Sequence, residues 1–130
     1  MKYQALVIVL DRRLNTKKAS LQRKANFLLE KLHLAGSSFE IYLVNNRFMR
    51  KNVLAFPHPR SFPKPDIQGH FLGEVYLNPY YIKDFHEDFE EMLIHGLLHL
   101  VGYDHMKRND RIRMEQKEKF LKKELLEQSL

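Results

Sequence analysis

The side chains best placed to do chemistry are three histidines, His95, His99 and His105, in the stretch His95-Gly96-Leu97-Leu98-His99-Leu100-Val101-Gly102-Tyr103-Asp104-His105. His95 and His99 are four residues apart, so on an α-helix they share one face and their ring nitrogens reach a common point. Gly102 accepts backbone angles closed to other residues, so the helix is expected to end there and the chain to fold back, bringing His105 over the same point. Imidazoles set among leucines would strand polar nitrogens unless a divalent ion satisfied them. Three neutral nitrogen ligands leave a fourth tetrahedral position for water, the pattern of a catalytic zinc site, and zinc lowers the pKa of such a water towards ~7. The chain has no cysteine, so no thiolate can close a structural site instead. We expect one zinc ion per chain, with nickel and copper as its chemical neighbours. His33, His58, His70 and His86 stand singly and read as hydrogen-bonded structural residues.

One position decides which reaction such a site would run. The spacing coincides with the metzincin peptidase pattern H-E-x-x-H-x-x-G-x-x-H, but Gly96 stands where that pattern has its general-base glutamate. Two other carboxylates are near in sequence. Asp104 adjoins the third histidine and Glu91 lies one helical turn before His95, so either suits a general base or a group that orients a ligand imidazole. Their plainer readings are turn bonding for Asp104 and a surface ion pair for Glu91.

Composition bounds what must hold these residues. A chain of 130 residues with 44% hydrophobic content can bury one core of ordinary size. Zero cysteines exclude disulfide frameworks, iron–sulfur clusters and thiol nucleophiles. The first residues lead directly from an apolar run into Asp11-Arg12-Arg13, without a signal-peptide cleavage site and too short to span a membrane, which leads us to expect a cytoplasmic protein. The 22 Lys+Arg against 16 Asp+Glu, formally +6, favour a polyanion partner such as RNA.

Ala5 to Leu10 is a β-branched run without polar alternation, expected of a strand buried on both faces. Asn15 or Thr16 is the expected cap of a helix with apolar positions Leu21, Ala25, Leu28 and Leu32, stopped by Gly36. Phe39, Ile41 and Leu43 alternate on one face of a second strand that ends at the Asn45-Asn46 turn. A basic patch around Arg47, Arg50 and Lys51 leads to a candidate edge strand, Val53 to Phe56. Pro57 to His70 holds four of the five prolines together with His58, Arg60, Phe62 and Lys64, and reads either as a nucleic-acid surface of cations and aromatic faces or as a solvated connection. Leu72 to Leu77 is a further strand. Asn78-Pro79 then opens a helix whose stripe, Phe85, Phe89, Met92, Leu93, Gly96, Leu97 and Leu100, makes the metal helix a core helix. Arg108 to Leu126 is expected to close the fold as an amphipathic helix with Met114, Leu121 and Leu125 inward and Glu115/Lys119 and Glu118/Lys122 as i,i+4 pairs.

The histidine stretch resembles the H-G-x-L-H-L-x-G-Y-D-H signature of the YbeY family of metal-dependent endoribonucleases. Two further blocks agree in order: Asn52-Val53-Leu54-Ala55-Phe56-Pro57 is similar to that family's D-V-L-S-F-P segment, and Leu72-Gly73-Glu74-Val75 to its L-G-D-I strand. The resemblance runs from about Phe39 onward. It implies a single α+β domain with a small mixed sheet of about four strands packed with helices, the metal helix central. It further implies zinc held by His95, His99 and His105. The implied activity is cleavage of single-stranded RNA in maturation of the small-subunit ribosomal RNA 3′ end and in ribosome quality control. The chain departs from that family where an arginine-bearing loop usually precedes D-V-L-S-F-P. Here Met49-Arg50-Lys51 runs straight into Asn52, so Arg50 and Arg47 become the candidates for contacting substrate phosphate, with Asp104 as the nearby carboxylate. Asn52 and Ala55 replace an acid and a serine. The expected function is therefore a zinc-dependent endoribonuclease with RNA and the ribosomal small subunit as partners, and neither DNA nor a membrane. The other readings are a metal-stabilised RNA-binding module without catalysis and, disfavoured by Gly96, a zinc peptidase.

Overall fold

Four short strands in the order β1-β2-β4-β3 make one mixed sheet: β1 (Ala5–Val9), β2 (Ser37–Leu43) and β4 (His70–Leu77) run parallel, and β3 (Val53–Pro57) pairs antiparallel with β4. The computed structural model describes residues 5–59, 70–104 and 106–128. Arg60, Phe62 and Lys64, and with them most of the proline-rich segment, lie outside these. Among the described residues, helices α1 (Lys18–Lys31), α2 (Pro79–Asp84), α3 (Phe89–Leu100) and α4 (Arg108–Glu127) accompany the sheet, giving the expected α+β architecture.

The sheet is amphipathic because its strands alternate. Phe39, Ile41 and Leu43 of β2 and Val75 and Leu77 of β4 are buried and join Leu21, Ala25 and Leu28 of α1 and Leu93, Leu97 and Leu98 of α3 in one core. The helix that carries His95 and His99 is thus a core helix, as its stripe predicts. Met114, Leu121 and Leu125 bury the inner side of α4. β3 is the predicted edge strand.

Several local expectations change. β1 is the other edge strand rather than an interior one, and Leu6 is half-exposed. Its outer edge is occupied by side chains of α1: the Ala5 and Val7 amides donate to Asn26 Oδ1 (3.0 Å) and Gln22 Oε1 (3.3 Å), and the Gln22 amide donates to the Ala5 carbonyl. The chain after β1 is capped by Asp11, not Asn15 or Thr16, through a 3-10 turn over Arg12–Lys17 that feeds α1. α1 ends at Lys31, before Gly36, with His33 in the left-handed region (φ 58°). The predicted helix from Pro79 breaks in two. His86 has φ 56° and Asp88 recaps the chain by accepting from the Glu91 amide (3.0 Å), so Phe85 stacks on Tyr81 (4.3 Å) instead of joining the core stripe.

Polar side chains at the carboxyl ends of the parallel strands lock the loops together. Asn78 is fully buried: its Oδ1 accepts from the Tyr80 and Tyr81 amides, capping α2 as predicted, and its Nδ2 donates to Asn46 Oδ1 and the Met49 carbonyl (both 2.8 Å). The segment carrying Arg47 and Arg50 is thereby pinned at Met49. Asp11 accepts from the Arg13 guanidinium (2.7 Å), Asn45 Nδ2 (3.1 Å) and the Tyr80 hydroxyl (3.3 Å). The bonds from Arg13 and Asn45 hold its carboxyl well below the usual carboxylate range. A depressed folded-state pKa stabilises above the unfolded value of about 3.9 and loses that contribution as pH falls further. The melting-temperature gap between the wild type and Asp11→Asn is therefore expected at pH 7 and should shrink on titration below pH ~4. A gap that stays constant down to pH ~2 would refute the clasp.

Candidate metal centre

α3 presents the two helical histidines as their spacing predicts. His95 Nε2 and His99 Nε2 are 3.1 Å apart, with the rings edge to face at 4.6 Å between centroids. Two nitrogens bound to one tetrahedral zinc at ~2.0–2.1 Å stand ~3.3 Å apart, so the pair fits a shared ion with little movement. Both rings border a cleft of about 470 Å³ with Asn52, Val53, Leu54, Ala55 and Pro57 along β3 and Met92 and Gly96 on α3. The cleft therefore joins the signature histidines to the strand of the second resembling block.

Gly96 sits where α3 crosses the sheet. A Cβ there would lie 2.7 Å from Val75 Cγ1 and 3.1 Å from Val53 Cγ2, closer than van der Waals contact permits. A side chain at 96 would start into the valines of the sheet, so the position that carries the peptidase glutamate has no room for one here.

The end of α3 follows the glycine reading. Gly102 takes φ 97°, its amide donates to the His99 carbonyl (3.2 Å), and the Tyr103 amide donates to the Leu98 carbonyl (3.0 Å). This is a Schellman motif, which satisfies the last carbonyls of the helix and turns the chain out of it. Asp104 Oδ1 accepts from the Met106 amide (2.8 Å), its expected turn role. His105 lies outside the described residues, and among the described residues no three metal-ligating side chains converge.

The arginines are placed differently. Arg47 and Arg50 are exposed in the β2–β3 connection, and neither is among the described residues lining the cleft. Asn52 does line it, and its Nδ2 donates to Glu87 (3.1 Å). Glu91 takes its plainer reading, accepting from Lys122 Nζ at 3.4 Å.

A residue missed from sequence completes the histidine pair. Glu118 of α4 places Oε2 3.0 Å from His95 Nδ1. The predicted Glu118/Lys122 pair does not form; Lys122 turns instead to α3, 2.5 Å from Asp88 Oδ2. Burial opposes both charges in that pair, but their mutual bond prevails, holding the Asp88 carboxyl below its ordinary range and the Lys122 ammonium above its own. A signal for Glu118 was present. Met114, Glu118, Leu121 and Leu125 step by 4, 3 and 4 residues, so the carboxylate interrupts the apolar seam that α4 turns towards the core.

The protein is similar to Endoribonuclease YbeY of Pseudoalteromonas translucida, 36% identical over 94 residues covering 63% of this chain and 60% of that protein. Its likeness to Endoribonuclease YbeY of Thermodesulfovibrio yellowstonii is 35% over 74 residues (48% of this chain, 45% of that protein), and to that of Francisella tularensis subsp. novicida 34% over 83 residues (53% and 51%). The chain spans about half the length of the curated relatives it matches. Residues 12–126 match the family model described as Endoribonuclease YbeY, which takes in both α3 and α4, and the chain therefore belongs to the YbeY family.

Proposed function

We propose that this chain is a zinc-dependent endoribonuclease that cleaves single-stranded RNA, acting in the cytoplasm on ribosomal RNA of the small subunit, at its 3′ end, and in ribosome quality control. The observation that carries the proposal is the convergence of His95 Nε2 and His99 Nε2 to 3.1 Å at the cleft, with a carboxylate on the far nitrogen of His95. Relatives named endoribonucleases support the substrate class, and the net charge of +6 suits a polyanion.

His95, His99 and His105 are the residues that would hold the ion, all nitrogen donors of the kind zinc accepts. The chemistry zinc supplies when bound is Lewis-acid activation of water and neutralisation of phosphate charge. The chain's own groups bind and orient. His95 and His99 face the cleft between α3 and β3, where a strand of RNA would lie across Asn52 to Pro57. Arg50 or Arg47 neutralises a substrate phosphate from the adjoining β2–β3 connection. Asp104 accepts from the Met106 amide and is the candidate carboxylate for proton transfer.

The test combines metal analysis with cleavage of a single-stranded RNA. Purified protein is expected to carry one zinc per chain and to cleave. Stripping with a chelator should reduce cleavage to less than ~1% and zinc should restore it. Cleavage that persists in metal-free protein overturns the proposal. The exposed placement of Arg47 and Arg50, off the cleft, favours one second reading, an RNA-binding module without catalysis. It predicts salt-dependent RNA binding by zinc-loaded protein with no cleavage.

A further inference from the structure

We propose that Glu118 is the positioning residue of this centre: its carboxylate fixes the His95 imidazole in the tautomer whose Nε2 is presented towards His99. The inference rests on the metal-centre proposal and adds to it a residue from outside the histidine signature.

His95 Nδ1 lies 3.0 Å from Glu118 Oε2, and a carboxylate accepts but cannot donate. The proton of the neutral ring is therefore placed on Nδ1, which leaves the lone pair on Nε2, the nitrogen 3.1 Å from that of His99. A flip of the ring about its Cβ–Cγ bond would break both contacts, Nδ1 with Glu118 on α4 and Nε2 with His99 on α3.

The setting argues against an incidental contact. Glu118 occupies the seam position between Met114 and Leu121, where an apolar residue would bury more surface against α3. Lys122, its natural partner one turn on, is bonded to Asp88 and Glu91. Among the described residues, no lysine or arginine forms an ion pair with Glu118, and its charge is directed at the imidazole. Both side chains are about one-third exposed (30% and 28%), so burial alone does not demand this bond.

The consequence is that α4 belongs to the centre. Two bonds one helical turn apart, Glu118 to His95 and Lys122 to Asp88, tie α4 to the histidine helix. Removing the carboxylate is expected to cost zinc affinity even though no ligand is touched.

The experiment measures zinc affinity of the full chain by competition with a chromogenic chelator, for the wild type, Glu118→Gln, Glu118→Ala and, as a control for charge on the same helix, Glu115→Ala. Melting of each metal-free protein is followed alongside. Glu118→Ala is expected to bind zinc ~10–100-fold more weakly. Glu118→Gln, which still accepts from Nδ1–H but carries no charge, should recover part of the loss, and Glu115→Ala should match the wild type. Affinity of Glu118→Ala within twofold of the wild type, or an equal fall in Glu115→Ala, overturns the inference. Should Glu118→Ala fail to fold, the near-isosteric Glu118→Gln decides, and unchanged affinity there overturns it too. A wild type that takes up no zinc overturns this inference and the proposed function together, whereas a wild type that binds zinc and cleaves RNA beside an unaffected Glu118→Ala overturns this inference alone.

Discussion

Replacing His99 by alanine is expected to lower zinc affinity by more than ~100-fold, beyond the ~10–100-fold typical of groups that merely support a ligand, and to reduce RNA cleavage to background. The geometry explains the size of the effect. His95 and His99 converge because four residues of helix carry each ring over the same point, and no other described side chain lining the cleft offers a nitrogen with a lone pair to replace the lost one. His99 is only half-buried, so the metal-free variant should fold with stability changed by about 1 kcal/mol or less. Zinc analysis, a cleavage assay and a chemical melt on one preparation separate these effects. A His99→Ala protein that retains zinc and activity would remove the basis of the metal centre.

Restoring the peptidase glutamate by Gly96→Glu is expected to unfold the protein rather than to make a peptidase. Even the first carbon of a side chain would meet Val75 Cγ1 at 2.7 Å, and Val75 is fully buried in the sheet and cannot swing away. Gly96→Ala isolates that effect. Alanine gains ~1 kcal/mol of helix propensity over glycine, while overpacking a core costs ~1–3 kcal/mol, so the net loss should be no more than about 2 kcal/mol. Glutamate adds two more carbons and a charge to the same site, and the sum consumes most of the ~5–15 kcal/mol by which a small domain is stable. Far-ultraviolet circular dichroism and a thermal melt check both variants. A folded Gly96→Glu protein with native stability would show that α3 can lift from the sheet.

The site was legible in sequence where local geometry determines it. The i,i+4 spacing of His95 and His99 and the turn at Gly102 are properties of a helix and its end, and both are realised. So are the Asn78-Pro79 cap and the alternation of β2, which depend on adjacent residues. What escaped depends on tertiary partners. Glu118 is 23 residues from His95, and its i,i+4 spacing to Lys122 suggested a surface pair until the packing of α4 on α3 assigned each charge to a different partner. The apolar run of β1 did not reveal whether a strand or a helix would flank it, so an edge strand read as an interior one. The break between α2 and α3 rests on His86 adopting a left-handed conformation that few non-glycine residues take, which periodicity does not register.

The two edges of the sheet are not equivalent, and this bears on how copies of the chain behave at high concentration. An edge strand with open amides is a template for aggregation. Along β1 that template is occupied at Ala5 and Val7, where Gln22 and Asn26 mimic a neighbouring strand with their side-chain amides. β3, at the opposite edge, borders the cleft and ends in a proline that cannot donate to a new ladder. Among the described residues it is thus α1 that guards the β1 edge, while β3 lies along the cleft.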